Sequence, residues 1–523
     1  MDELNIPLDI WKYIFDLTDF LSKIRLRQCC KLFSNKLFIH NFYDIDQIYL
    51  SKLTDDILKN HKFIKYLNIY KNPNIHNIRW MTNLQELNIS DYNQIHQSEI
   101  IGLNLTKLNV RHNDKINKVN WMTNLRELDA SGTSGINQLG IIGLNLTKLN
   151  ISFNSEINDI SWMTNLKELD ISEETGITQS NLMGLNLIKL NVSYNYQINN
   201  VSWMTNLKEL WADDDCGINQ AGIADLNLIK LSINGNLKIN NICWMTNLKE
   251  LCADGDSDIN QSGIIGLNLI KLSISGNSKI NNICWMTNLR KLVATGDCGI
   301  NQSVIIGLNL VKLDVSHNNR ISDVSWMTNL RELKAIGSSY INQVGIIGLN
   351  LVKLDVTDNW KINNVNWMTN LRELVANGNC AIDQLGIAGL NLFKLHISNN
   401  YKINNISWMT NLQELDARGC CGLNQLSITK LNLVKLYVCD NNKINDVRHM
   451  TNLKFLGANF DSGLDKKGIE GLKLIECSSF FNNRMNRIGW SETFKNNWIF
   501  INFYCKMQYL FKKIFFYIYS KGF

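Results

Sequence analysis

The pentapeptide Trp-Met-Thr-Asn-Leu returns every 41 residues, and no other feature limits the possible folds as strongly. It begins at Trp80, Trp121, Trp162, Trp203, Trp244, Trp285, Trp326, Trp367 and Trp408. A further copy opens with His449 in place of Trp, and Trp490 falls in phase without the rest of the motif. A fixed period of this size implies a solenoid, in which each unit buries its apolar face only against its neighbours. The 523-residue length therefore does not count domains, because such arrays grow by adding turns.

Each unit divides into two turns. The second half reads Leu105-x-x-Leu108-x-Val110-x-x-Asn113-x-x-Ile116-x-x-Val119, and the first half reads Leu125-x-x-Leu128-x-Ala130 before Ile136. Opening leucines (Leu84, Leu105, Leu125, Leu146, Leu166) alternate 21 and 20 residues apart. The alternation around Leu108 and Val110 predicts a short strand, with two residues inward and the one between them outward. Asn72, Asn113, Asn154 and their successors to Asn441 and Asn482 hold one place in the second halves. A buried Asn both donates and accepts, which suits a turn where the chain leaves the ladder. First halves lack this Asn and carry Gly132, Gly255, Gly296, Gly337, Gly378 or Gly419, which predicts a glycine-dependent bend. Asn104 and Asn124, each before an opening Leu, predict a second ladder in the return segments. These patterns resemble the leucine-rich repeat, and the resemblance implies an α/β solenoid with parallel strands on a concave face. Ile45-x-x-Ile48-x-Leu50 reads as a degenerate first strand, and the arc from there to Leu474 would be on the order of 100 Å. The Trp column, alternating with Ile101, Ile142, Ile265, Ile306 and Ile347, predicts a packed convex core rather than a recognition surface.

Residues 1–40 differ from the repeats. Ile6-Pro7-Leu8-Asp9 starts a helix that carries Ile10, Ile14 and Leu17, and Asp19 opens a second one with Leu21, Ile24 and Leu26. Cys29-Cys30-Lys31-Leu32-Phe33 follows. This stretch resembles an F-box, whose closing Val-Cys-Lys-x-Trp corresponds to residues 29–33; Ile6 for Leu and Phe33 for Trp depart from the pattern. The resemblance implies docking of a Skp1-type adapter through Pro7, Ile10, Ile14, Leu21, Leu26 and Cys30. The plainer reading is a helical cap over the first repeat. The organisation is then an F-box-like domain at 1–40, a linker and cap with a degenerate repeat at 41–63, a solenoid at 64–490, and an aromatic-rich segment at 491–523. In the linker, Thr54 caps a short helix with Asp55 and Asp56 in its first turn. The last segment, with Phe500, Tyr504, Phe511 and Phe516 among Lys506, Lys512 and Lys513, reads as a terminal cap, a membrane-surface helix or a sticky tail.

Composition narrows the function by exclusion. The net charge of +6 comes without a basic block, so nucleic acid is not an expected partner. Thirteen cysteines have no C-x-x-C spacing; Cys216, Cys298, Cys380 and Cys421 share one repeat position at least two turns apart, too far for a disulfide. They read as small buried hydrophobes in a reducing compartment. With no signal-peptide pattern at Met1-Asp2-Glu3-Leu4, cytoplasm or nucleus follows. No phosphate loop, nucleophile elbow or metal-binding cluster occurs, so neither an enzyme, a cofactor nor a bound metal is expected.

Two surface patterns remain. Lys107, Lys148, Lys189 and their successors alternate with Glu86, Glu127, Glu168 and theirs, which predicts opposite charges on adjacent strands. Lys291 interrupts this between Lys271 and Lys312. Outward strand positions carry Asp91, Asp129, Asp170, Asp213, Asp254, Asp314, Asp355 and Asp416, with Phe153, Tyr194, Trp211 and Tyr437 as aromatic anchors. Asp129, Asp170, Trp211, Asp213, Asp254, Asp314 and Asp355 are thus candidate contacts for a target protein with a basic segment, or the acids merely keep a sheet soluble. The F-box and repeat resemblance together implies a substrate receptor of a Skp1–cullin–F-box ubiquitin ligase, and the whole chain is similar to such proteins encoded by large DNA viruses. The other reading is a repeat scaffold unconnected with ubiquitin.

Overall fold

The computed structural model describes residues 7–485, except 46, 62, 92, 93, 480 and 483. Trp490 and the aromatic segment 491–523 lie outside the described residues. The chain divides into two units, 1–362 and 363–523, each taken by itself below.

The first unit opens with three short helices: α1 (Leu8–Leu17), α2 (Phe20–Cys29) and α3 (Lys31–Lys36). Pro7 stands at the N-cap of α1, and the Asp19 side chain accepts from Ser22 N to cap α2. Strand β1 (Asn41–Phe42) pairs parallel with β2 (Tyr66–Asn68). The first strand therefore precedes the expected Ile45–Leu50 segment, which holds helix α4 (Gln47–Leu50) instead. That segment repeats the Leu spacing, but its Leu50 and Leu53 carbonyls accept from Asn72 Nδ2, so it lies after the strand of the first coil and not in it. Helix α5 (Asp55–Lys59) is capped by Thr54, whose side chain accepts from Ile57 N.

From β2 to β16 (Lys353–Asp355), three-residue parallel strands stack in strict register, with Leu87 opposite Leu108 and Leu108 opposite Leu128. The second unit continues the pattern from β17 (Glu373–Val375) to β22 (Glu476–Ser478). Inside each coil the strand Leu, the following Ile, Val or Ala, and the return-segment residues Ile116, Val119, Met122 and Leu125 or their equivalents are buried. Every strand exit from Lys71 to Phe481 passes through one left-handed residue. Gly132 (φ 67) and Gly255 (φ 64) adopt it freely, whereas Phe153 (φ 59), Tyr194 (φ 59) and His317 (φ 58) do so with a side chain, at a cost of about 1 kcal/mol each. The bend is thus common to both halves rather than confined to the glycine-bearing one. Gly140 meets a different need: a methyl there would collide with the Asn117 carbonyl of the preceding coil, because two backbones touch.

The Asn ladder forms as the spacing predicts. Asn154 Nδ2 donates to Ala130 O (2.9 Å) and Ile136 O (3.0 Å), while its Oδ1 accepts from Glu156 N (3.0 Å). One buried amide thereby ties the exit of its own strand to the previous coil. In the first halves a small side chain lies beneath it: Asn236 Nδ2 reaches Cys216 Sγ at 3.4 Å. This contact explains the cysteine column, and burial pushes the Cys216 thiol up to about 11, leaving it unreactive at neutral pH. The second ladder is present in alternate coils, where Asn104 Oδ1 accepts from Asn124 N (3.1 Å) and Asn186 Oδ1 from Asn206 N (3.2 Å).

The Trp column corrects an expectation. Met122, Met163 and their equivalents fill the core, whereas Trp121 and Trp162 are only half-buried. The indoles of Trp121, Trp162, Trp203, Trp244 and Trp285 donate to the previous coil, Trp162 Nε1 to Leu144 O at 2.9 Å and Trp285 Nε1 to Leu267 O at 2.9 Å. In the second unit Trp408 Nε1 does the same to Leu390 O (2.8 Å), whereas the His449 ring meets a different carbonyl of the previous coil, Ile428 O (3.1 Å). An indole needs an acceptor for its N–H, and the coil edge supplies one that a closed core would not. The alternating isoleucines are not core residues either: Ile101 and Ile306 are 50% and 60% exposed.

Candidate functional surfaces

The helical start of the chain presents an apolar surface. In α1, Phe15 is the buried residue, and Trp11 packs on Phe33 of α3 with ring centroids 4.9 Å apart. These contacts turn the opposite side of α1 outward, so Ile10, Tyr13 and Leu17 are exposed, joined by Leu21 of α2 and Leu32 of α3. Of the residues expected to meet an adapter, Pro7, Ile10 and Leu21 are exposed, while Ile14, Leu26 and Cys30 are half-buried. Tyr13 and Leu32 were not among those residues. The i, i+3, i+7 spacing of Ile10, Tyr13 and Leu17 carries the signal for the exposed stripe. Five large apolar side chains left open on helices of this length mark a contact surface.

The inner face of the first unit divides in two. Asp129, Asn150, Asp170, Asn191 and Trp211 stand in direct register at the third strand position. Further along, Lys334 sits between Asp314 and Asp355 in register, 3.8 Å from the Asp314 carboxylate, so that stretch is balanced. The acids also have a local task that their sequence positions did not reveal. Asp129 Oδ1 accepts from Ser131 Oγ (2.6 Å) and Ser131 N (3.1 Å), and Asp170, Asp314 and Asp355 repeat the arrangement with Ser172, Ser316 and Thr357. Asp213 accepts from Ser232 Oγ (2.7 Å) and Asn234 N (2.8 Å), and Asp254 from Ser273 Oγ (2.8 Å) and Ser275 N (2.6 Å). Burial pushes the Asp213 carboxyl above its ordinary value. Asn88 performs the same turn closure with Ser90. Asp or Asn at this position therefore closes the strand exit first, and its remaining oxygen faces outward second.

The proposed aromatic anchors do not share one environment. Phe153 and Tyr194 are exposed on left-handed exit residues, while Trp211 is half-buried with Lys230 Nζ 4.7 Å from its ring. In the second unit Asp416 is a correction: it is 3% exposed and bonded to Ser398 Oγ (2.6 Å) and Arg418, so it offers no carboxylate to a partner. Tyr437 is half-buried.

The charge ladder is present at the strand starts. Lys148 pairs with Glu168 at 3.0 Å and Lys189 with Glu209 at 3.3 Å; Lys394 pairs with Glu414 at 2.7 Å in the second unit. Lys271 turns to Glu250 (2.6 Å) and Lys312 to Glu332 (2.7 Å), leaving Lys291 between them with no ion pair among the described residues. The sequence reading missed a further ladder. Gln138 Oε1 accepts from Asn158 N and Asp159 N (both 2.9 Å), and its Nε2 donates to Asp159 O (3.0 Å). Gln179, Gln220, Gln261 and Gln302 repeat this bridge to the next coil. The recurring Ile-Asn-Gln at 136–138, 218–220, 259–261, 300–302 and 341–343 was its visible signal.

Residues 4–44 match the family model of the F-box domain. Solved structures that match the chain include an internalin from Listeria monocytogenes, at 20% identity over 65% of this chain and 82% of that one, with a TM-score of 0.28. The TLR13–ssRNA13 complex matches at 16% identity over 81% and 71%, with a TM-score of 0.39. The mouse RP105/MD-1 complex matches at 17% identity over 83% and 80%, with a TM-score of 0.40. No curated protein matches the chain. The chain carries an F-box domain at residues 4–44, followed by a solenoid whose parallel strands and Leu spacing are of the leucine-rich-repeat kind. Among the described residues no helix is long and apolar enough to cross a membrane.

Proposed function

We propose that this chain is the substrate-recognition subunit of a Skp1–cullin–F-box ubiquitin ligase. The observation that carries the reading is the coincidence of the F-box match with the exposed apolar side of α1–α3, the surface an adapter would cover. The chain itself catalyses nothing in this reading; it holds a target protein on the repeats, near ubiquitin transfer performed by other subunits. We further propose that the asparagine-rich array is that of a large DNA virus, so that the ligase and its compartment, cytoplasm or nucleus, are the host's.

The test is capture of a Skp1-type adapter by the full-length chain. Ile14→Asp with Leu21→Asp should abolish capture while the far-ultraviolet circular dichroism of the repeats is unchanged. If the intact chain captures no adapter, the receptor reading fails and a repeat scaffold remains. For the target, the stretch from Asp129 to Asp254 supports a partner with a basic segment, since no Lys or Arg shares its third-strand column between Asp129 and Trp211. Association should then slow as salt is raised, and Asp213→Lys with Asp254→Lys should flatten that dependence. A target whose contact surface is acidic would exclude this.

A further inference from the structure

A cavity of about 500 Å³ lies on the side of α2 that faces the first coils. Its size is in the range that holds small organic ligands. The walls are mainly apolar: Phe20 and Ile24 of α2, Phe42 of β1, Tyr49 of α4, with Ile39 and Leu53 beyond them. The Phe20 ring stands 5.6 Å from Phe42 and 6.0 Å from Tyr49, centroid to centroid, so three aromatic rings converge.

Arg27 also lines this cavity. One of its terminal nitrogens donates to Ser34 O (2.9 Å), and the other lies 2.7 Å from His61 Nδ1. Its Nε is buried and has no hydrogen-bond partner. Burial lowers the affinity of the guanidinium for its proton, yet among the described residues no ion pair compensates it and no acid lines the cavity. His61 cannot serve as the counter-charge, being an uncharged base near neutral pH. Lys52 at the rim adds a second positive charge. A desolvated cation with an orphan N–H and apolar walls is an arrangement that a bound anion would complete.

We propose that this cavity is a binding site for a small apolar acid, a molecule with an aromatic or aliphatic body and one carboxylate, sulfonate or phosphate directed to Arg27. Such a ligand would bridge α2 to β1, α4 and α5, and so fix the F-box helices against the start of the repeats. The proposal does not depend on the adapter, because α2 presents Phe20, Ile24 and Arg27 to the cavity and Leu21 to the outside.

The test uses the full-length chain alone and two probes with related ring systems. 8-Anilinonaphthalene-1-sulfonate carries the anion, and N-phenyl-1-naphthylamine lacks it; the fluorescence of both rises in apolar sites. The sulfonate should bind as one saturable component. Arg27→Met should weaken it at least tenfold and leave the neutral probe within twofold. Ile24→Trp, which fills the cavity from its wall, should remove saturable binding of both. Equal sulfonate affinity in wild type and a folded Arg27→Met would overturn the proposal. So would wild-type binding in Ile24→Trp, which decides the matter alone if Arg27→Met does not fold.

Discussion

At the scale of single residues, stability rests on a few buried polar groups that tie their own coil to the preceding one. Asn236 is fully buried, with Nδ2 on Ala212 O (2.9 Å) and Oδ1 receiving Lys238 N (2.8 Å). Asn236→Ala leaves that carbonyl and that N–H unmatched inside the turn. It should cost about 2–4 kcal/mol, seen as a lower urea midpoint or as faster amide exchange in the flanking coils. His61 makes a second prediction. Its ring is 7% exposed, with Phe42, Arg27 and His40 around it, and burial first and the Arg27 charge second hold it down to about 4. Its folded pKa is therefore below its unfolded one, and the unfolded chain binds the extra proton between about pH 6.5 and 4. Stability should be flat above that window and fall by on the order of 3 kcal/mol across it. His61→Gln should lose this slope, and a slope of unchanged size in the variant would assign the acid sensitivity elsewhere.

At the scale of elements, each short strand is too small to be stable alone and depends on edge contacts between coils. The charge ladder is one such contact. Lys291→Glu would meet Lys271 and Lys312 in the same register. Because the pairs are partly exposed, the gain should stay under about 1 kcal/mol, as a small rise in thermal midpoint. A fall would contradict the register. The convex Trp column is another. Trp203→Phe keeps most of the ring contact but removes the Nε1 bond to Leu185 O (3.2 Å), and should cost about 1 kcal/mol. Trp326 provides the comparison: its Nε1 is buried without a partner, so Trp326→Phe should be nearly neutral. Equal losses at both positions would show that packing, not the hydrogen bond, explains the column.

At the scale of the whole molecule, the functional repeat is the 41-residue pair and not the single coil. The Gln ladder joins each first-half return segment to the coil that follows it, and the Lys–Glu ladder needs strands of two kinds in alternation. Excising residues 230–270 joins Ile229 to Lys271 and restores every column in phase. That shortened chain should remain folded, with a thermal midpoint within a few degrees of the parent. Excising residues 230–249 instead sets Glu209 beside Glu250 and deprives Gln220 of Asn240 and Asn241. A marked drop in midpoint is expected there, and equal midpoints for the two deletions would show that the coils are interchangeable.

The repeat period by itself determined the solenoid, the strand positions, the inward leucines and the Asn ladder, because a residue recurring in phase meets its own copy in the neighbouring coil. The caps at Asp19 and Thr54 were legible for a related reason: each bonds a backbone N–H three residues away. Tertiary structure decided what depends on partners distant in sequence or on which side of a coil stays open. It made Met rather than Trp the core residue, since the indole N–H found its acceptor only at the coil edge. It turned Asp129 and Asp213 into turn closers through serines whose spacing differs, two residues on in one and nineteen in the other. It placed helix α4 where the Leu spacing had indicated a strand, because Asn41–Phe42 already holds the place beside β2. The cavity at Arg27 was invisible in the sequence, since its walls come from four helices and a strand that only the fold brings together.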